Sequence, residues 1–439
     1  MSAAPRVFMD VSYTRTQRVA VGITRTVRRL EEELRSLCAV EGIDFRTVSF
    51  HTQGFREMAP DALAATIHRA DACADAPAAR LFRWITGAFF RRLVLIALHV
   101  LPWRLLRFIW ATTSRKTFDV LSRTEPAVAF SPGDVLLLFD ASWNYPVWIA
   151  AAKARAQGAR VVLLMYDLIP LRHPDFTHKL VPPIFRLWLQ RMLPLSDAVV
   201  CISRATEDDL HLFARETAMA LPPTGHFRLG SDPVRTPAAG RRPRDELEAF
   251  TRGGPTFAAI GSFEPKKNYG FLLEVFERLW ARGEPARLLL IGRASAECEA
   301  LIARVRQHPE QGRRLLALFD ATDAEVDFAY ANCRALVFPS LAEGFGLPLV
   351  EARTRGSLVI ASDLPCFAEL ADEGVETYPR DSHAALERLV LHHAAHDRRG
   401  EVAPMPPFTW GQGARQCWDE ASRLLAGVSQ PVPHRFPPP

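Results

Sequence analysis

Short apolar runs alternate with longer amphipathic segments through most of the chain. In the first half the runs Val7 to Val11, Val135 to Phe139, Arg160 to Tyr166 and Ala198 to Ile202 predict strands, with helices between them over Ile23 to Leu37 and Pro146 to Gln157. A second series predicts strands at Thr256 to Ile260, Ala286 to Ile291, Leu315 to Phe319, Leu336 to Pro339 and Leu358 to Ala361. Its helices are expected over Tyr269 to Trp280, Ala294 to Gln307, Asp323 to Asn332 and Pro348 to Thr354. Strands alternating with helices predict parallel, doubly wound sheets. A stretch rich in Pro, Gly and Arg beginning at Gly230 separates the two series and reads as a linker. The pattern therefore predicts an α/β fold of two tandem Rossmann-like domains facing each other across a cleft, with ligands at the C-terminal ends of the strands. We expect a first domain over 1–235, a second over 250–407, a helix over 408–428 and a proline-rich tail over 429–439.

Within this pattern the segment EGFGLPLVE, Glu343 to Glu351, is the strongest chemical signal. It follows the buried-strand run from Ala335 to Ser340 and leads into a helix with Pro348 at its start, so it reads as strand, loop, helix. A helix N-terminus presents unpaired N–H groups and the positive end of the helix dipole, and Gly344 and Gly346 let backbone approach a phosphate closely. Helical phase turns Glu351 toward the ligand, where its carboxylate can accept from a ribose diol. Glu343 precedes the turn and faces the other end, near a sugar. Two glutamates at this spacing alone would read as a capped helix with a polar surface; the glycines and the preceding strand favour a ligand site.

Composition changes the picture in two places. The seven cysteines are scattered without a C-x-x-C pair, which predicts neither a disulfide framework nor a zinc site and fits a reducing cytosol. The net charge is +5, but Arg80 to Lys116 alone carries eight basic residues and no acidic one, among Phe82, Trp84, Phe89, Phe90, Trp103, Phe108 and Trp110. The apolar stretch Leu93 to Trp103 is too short to span a bilayer, which takes about 20 residues. The segment reads either as an interfacial element drawn to anionic lipid or as a helical hairpin packed into the first domain. No nucleic-acid motif accompanies it, and nucleic acid is not expected as a partner. The N-terminus shows no export signal, so a cytoplasmic protein is expected, with the inner face of the plasma membrane as its place if the basic segment binds lipid.

These motifs resemble the retaining glycosyltransferases of family 4, which have the two-domain GT-B architecture. The resemblance runs nearly the whole length and is strongest from Glu343 to Leu370 and from Ile260 to Asn268 (IGSFEPKKN). It implies that Lys267 and its basic neighbour Lys266 bind the donor's pyrophosphate, with Ser262 where some members carry an arginine. It implies donor contacts from Gly22 (in GITR, Gly22 to Arg25) and from Gly344, Phe345, Gly346, Leu347 and Glu351. Glu343, Lys267, Tyr166 and Asp167 are the implied catalytic set; Tyr166 stands where the family's HDL-x-P segment usually has histidine. His173 is expected to be a packed loop residue, Ser203 and Thr206 helix caps, and the helix after Phe408 a structural element returning to the first domain. Cationic side chains beside a departing diphosphate stabilise the transition state more than the ground state. With no Asp-x-Asp anywhere in the chain, no metal and no other cofactor is expected beyond a nucleoside-diphosphate sugar as co-substrate. The implied reaction is hexosyl transfer with retention, first from GDP-mannose, onto a lipid-linked or oligosaccharide acceptor in surface polysaccharide synthesis. A nucleotide-sugar epimerase or hydrolase, or an idle nucleotide-sugar-binding subunit, stays open as an alternative.

Overall fold

The computed structural model describes residues 6–17, 22–59, 118–119, 122–231, 242–397 and 399–427. The basic aromatic segment, the central part of the linker and the proline-rich tail lie outside them. The first sheet has seven strands in the order β3-β2-β1-β4-β5-β6-β7. They are β1 Arg6–Asp10, β2 Asp44–His51, β3 Gly54–Glu57, β4 Val135–Leu138, β5 Arg160–Met165, β6 Ala198–Cys201 and β7 Thr224–His226. All neighbours are parallel except the β2–β3 hairpin. The second sheet has six parallel strands in the order β10-β9-β8-β11-β12-β13. These are β8 Thr256–Ile260, β9 Arg287–Ile291, β10 Leu315–Leu318, β11 Ala335–Phe338, β12 Val359–Ser362 and β13 Val375–Tyr378.

The central strands are continuous apolar runs because both of their faces are covered. Along β5, Val162 and Leu164 enter one core and Val161, Leu163 and Met165 the other. Along β9, Leu289 and Ile291 face one way and Leu288 and Leu290 the other. Strands β2, β3, β7 and β13 were not anticipated, since none is such a run: β2 carries Asp44 and Arg46, β3 ends on Arg56 and Glu57, β7 is only Thr224, Gly225 and His226, and β13 carries Glu376. The helix expected over 294–307 is shorter, a 3₁₀ turn over Ala296–Cys298 followed by a helix over Glu299–Arg306.

The helices that position the site are α1 Ile23–Glu41, α2 Arg204–Thr217, α3 Tyr269–Ala281, α4 Leu347–Thr354 and α5 Trp410–Ala426. Helix α5 starts in a capping box between Thr409 and Gln412 and packs against α1, β6 and β7 of the first sheet. Its Trp410, Ala414, Cys417, Ala421 and Leu424 are buried. The approach is close enough that a Cβ on Gly230 would lie 2.4 Å from backbone atoms of Trp410.

In each sheet the chain reverses its direction of winding beside the first strand, between β1 and β4 in one and between β8 and β11 in the other. Crevices open at such switch points, at the C-terminal strand ends. In the first sheet that point holds a buried acidic pair, Asp10 and Asp140. Asp10 accepts from Ser12 and from the Tyr145 hydroxyl, while Asp140 accepts from Thr14 N and Thr14 Oγ1, each at 2.8 Å. Burial, reinforced by Asp140, pushes the Asp10 carboxyl up to about 7 against the opposing hydrogen bonds. A folded-state value above the unfolded one, about 4, stabilises at low pH and ceases to do so as pH rises through about 7. Wild type is therefore expected to lose melting temperature relative to Asp10→Asn between pH 5 and pH 8. Calorimetry across that interval checks it; a difference independent of pH would contradict the raised value.

Candidate active site

The switch point of the second sheet brings the loops after β8 and β11 side by side. After β8 the chain passes Gly261 and Ser262 and makes a 3₁₀ turn over Pro265–Lys267. It then enters α3 through Asn268, whose φ of 56° is left-handed. After β11 it passes Ser340 and Glu343 and enters α4 through Gly346. Leu341 N donates to Lys266 O at 2.8 Å and ties the two loops. Helix α4 begins one residue before the expected Pro348, with Gly346 as its cap at φ 110°; a Cβ there would also sit 2.7 Å from the Phe367 ring.

The centre of the site is an ion pair. Lys267 Nζ lies 2.5 Å from Glu343 Oε1, with 11% and 9% of the two side chains exposed. Ser340 Oγ donates to the same oxygen at 2.7 Å, and the Lys267 ammonium lies 5.0 Å from the centroid of the Phe338 ring. Burial alone would raise the Glu343 carboxyl, but Lys267 and Lys266 together with these hydrogen bonds hold it below the usual range. Burial likewise opposes the charge on Lys266, yet Glu343, Asp167 and Glu264 raise its pKa, and its Nζ lies 3.6 Å from Glu264. Two cations and an ionised carboxylate thus share a poorly hydrated corner beside a helix N-terminus, and fixed charges act strongly in such a place. Ser262, half-buried, lies on the same loop.

Glu351, eight residues on, is held apart from this cluster. Its Oε1 pairs with Arg25 in the first turn of α1, and its Oε2 accepts from Tyr330 Oη at 3.2 Å. Gly22 is the residue before α1 and has φ 50° and ψ −123°. Arg25 was not among the expected site residues. It lies 326 positions from Glu351, and no local pattern marks a pair formed across two domains.

The first domain meets the glycine turn directly. Ser203 caps α2 by accepting from Thr206 N at 3.1 Å, and its hydroxyl also donates to Gly344 O at 2.6 Å; Thr206 Oγ1 lies 3.2 Å from the same carbonyl. Glu369 from the second domain accepts from Arg204 N and Ala205 N at the start of α2. A Cβ on Gly344 would fall 2.1 Å from Tyr166 O. The small size of Gly344 therefore admits backbone of the opposite domain. Phe345 is buried in the core, and Leu347 packs half-buried against it.

Tyr166 corrects the expectation for the first domain. The residue is 5% exposed, its side chain is turned into the core, and its hydroxyl donates to Phe139 O at 2.6 Å. Burial raises the phenol well above its ordinary value. Only the backbone of Tyr166 reaches the cleft, so its hydroxyl is not available to a sugar in this arrangement. An aromatic ring at a strand end is placed more favourably among apolar neighbours, with its one polar atom satisfied by a carbonyl. Asp167 caps the turn that follows by accepting from Ile169 N at 3.0 Å. Burial raises its carboxyl, Lys266 opposes the shift, and Glu343 and Glu264 reinforce it, so Asp167 is electrostatically coupled to the Lys–Glu cluster across the cleft. His173 stacks on Phe176, ring centroids 5.0 Å apart, as a packed loop residue.

Two doubly wound sheets that face each other with the C-terminal ends of their strands, with two lysines and a helix N-terminus on one side, define an α/β protein with a charged cleft between its domains. Residues 245–393 match the model of the glycosyl transferases group 1 family. The serotype-specific mannosyltransferase WbdA of Escherichia coli is 30% identical over 302 residues, 65% of this chain and 37% of the relative. A phosphatidyl-myo-inositol mannosyltransferase of Mycolicibacterium smegmatis is 30% identical over 152 residues, 33% of this chain and 38% of the relative. The chain thus spans well under half the length of either relative. Among solved structures, a UDP-forming α,α-trehalose-phosphate synthase from Burkholderia xenovorans aligns at TM-score 0.49 and 12% identity, covering 67% of this chain and 73% of that one. No helix among the described residues is long and apolar enough to cross a membrane.

Proposed function

We propose that the protein is a glycosyltransferase that moves a hexosyl unit from a nucleoside-diphosphate sugar to a hydroxyl with retention of anomeric configuration. GDP-mannose is the first candidate donor, and the acceptor is lipid-linked or a growing polysaccharide. The observation that carries this reading is the Lys267–Glu343 pair beside Lys266 at the head of α4, in a family segment that joins two domains across a cleft. In this reading the diphosphate lies at the α4 N-terminus against Lys267 and Lys266, the ribose at Glu351 and the sugar toward Glu343. The bond from the anomeric carbon to the diphosphate oxygen breaks while the acceptor oxygen bonds to the same carbon on the same face. The acceptor's proton passes to the departing phosphate oxygen. The lysines offset the charge that accumulates on the leaving group, a role that does not call for a metal. The mannosyltransferase names of the relatives favour the choice of sugar. The basic aromatic stretch from Arg80 to Lys116 favours an acceptor at an anionic membrane surface.

The test is a calorimetric screen of GDP-, UDP-, ADP- and dTDP-sugars, followed by turnover with and without acceptor in the presence of a chelator. Binding of one donor with Kd near micromolar, about −8 kcal/mol, acceptor-dependent turnover that survives chelation, and a product with the donor's anomeric configuration are expected. Full turnover without acceptor would indicate a hydrolase or epimerase, and binding without turnover an idle subunit.

A further inference from the structure

The two glutamates of EGFGLPLVE have unlike partners. Glu343 is paired within its own domain, whereas Glu351 is paired across the cleft with Arg25. The Glu351 carboxylate is engaged on both oxygens, by the Arg25 guanidinium on Oε1 and by the Tyr330 hydroxyl on Oε2. Tyr330 is itself covered by Arg355, whose guanidinium carbon lies 5.4 Å from its ring centroid and whose Nη1 donates to Glu351 O at 3.0 Å. The Tyr330 side is therefore built in, whereas the Arg25 side chain, 29% exposed, borders solvent. A ribose diol binding a carboxylate presents two donors to its two oxygens and so competes with the guanidinium for Oε1. A guanidinium displaced from its carboxylate favours another oxyanion within its reach. The diphosphate would supply it: Glu351 is five residues beyond Gly346, about 7.5 Å along the helix axis at about 1.5 Å per residue. A change of side-chain rotamer in arginine spans such a distance.

We propose that Arg25 is a donor-sensing latch. Paired with Glu351 it ties the two domains together before the nucleotide binds, and it transfers to the donor's diphosphate when the ribose takes Glu351. This rests on the nucleotide-sugar reading of the same cleft and adds to it a residue of the first domain whose partner changes with occupancy. The exchange links donor binding to domain closure, because the same guanidinium serves both states.

The experiment compares nucleoside with nucleoside diphosphate. Dissociation constants are measured by calorimetry for guanosine and GDP, uridine and UDP, adenosine and ADP, and thymidine and dTDP, on wild type, Arg25→Ala, Arg25→Gln and Arg25→Lys. Loss of the guanidinium removes a competitor of the ribose and a partner of the diphosphate. In Arg25→Ala and Arg25→Gln the nucleoside is therefore expected to bind as tightly as in wild type or more tightly, and the diphosphate about tenfold more weakly. The ratio of the two constants falls about tenfold or more, and Arg25→Lys, which keeps the charge, restores part of it. A merely structural role for Arg25 would weaken both ligands together and leave the ratio unchanged, which overturns the proposal while the nucleotide site stands. If wild type binds none of GDP, UDP, ADP and dTDP, the nucleotide-sugar reading itself fails and the latch with it.

Discussion

Lys267→Ala is expected to lower the rate of transfer by about 10²–10³-fold, the usual consequence of removing one preorganised charge from a developing anion. The same substitution leaves Glu343, with 9% of its side chain exposed, without its nearest cation. Breaking a buried pair from one side costs about 3–5 kcal/mol, and Lys266, which also acts on Glu343, places the expected loss toward the lower end. The pH dependence has a definite sign. In wild type the depressed Glu343 carboxyl contributes stability that is present above its unfolded pKa and lost as pH falls through the folded one. In Lys267→Ala burial dominates, the carboxyl rises, and the variant is expected to regain stability relative to wild type on acidification. Initial rates together with melting curves at pH 5 and pH 8 check both parts. The double variant Lys267→Met/Glu343→Gln, which removes both charges and keeps the volume, should recover most of the melting temperature and remain inactive. Activity near wild type in either variant would remove Lys267 and Glu343 from the reaction.

Gly344→Ala is expected to open the cleft. The added methyl would lie 2.1 Å from Tyr166 O, a backbone atom that cannot swing aside, and relieving the clash moves one loop away from the other. The hydrogen bonds that Ser203 and Thr206 direct at Gly344 O are lost with it, at about 1 kcal/mol each. Displacing the Glu343 loop from Asp167 by about 1 Å should reduce transfer by up to about 10²-fold, because the two domains must present donor and acceptor in one geometry. The fold is expected to hold, since the central strands of each sheet have their own buried clusters. Small-angle scattering should show a larger radius of gyration than wild type, with a far-ultraviolet spectrum unchanged. Wild-type scattering and wild-type turnover together would mean that the Tyr166–Gly344 contact does not govern closure.

Much of this site lies within short stretches of chain. Lys267 and Glu343 each follow a fully buried strand whose apolar run is unmistakable, and in a parallel sheet such loops gather at the strands' C-terminal ends. The strands that escaped notice, β2, β3, β7 and β13, are polar or very short, and the sheet recruits them through backbone pairing that side-chain pattern does not encode. Tyr166 shows a different limit. Its position at a strand end was plain, but whether a tyrosine there faces ligand or core depends on neighbours such as Phe139, 27 residues away. A place in the catalytic set would need the hydroxyl in the cleft, but burial of the ring is worth more than one exposed hydrogen bond.

The amino-acid sequence on its own determined the two parallel sheets, the strand-loop-helix with its two glutamates, and the lysine that stands beside the first of them. All of these depend on local periodicity and on glycine, proline and charge at fixed offsets, and those act over a few residues. Only the tertiary structure decided the partners of those groups: Glu351 with Arg25, Gly344 with Tyr166 and Ser203, Glu369 with the start of α2. Such contacts join residues 141 to 326 positions apart. They exist because two independently wound sheets present the C-terminal ends of their strands to one another, and sequence spacing carries no record of which side chains that meeting brings together.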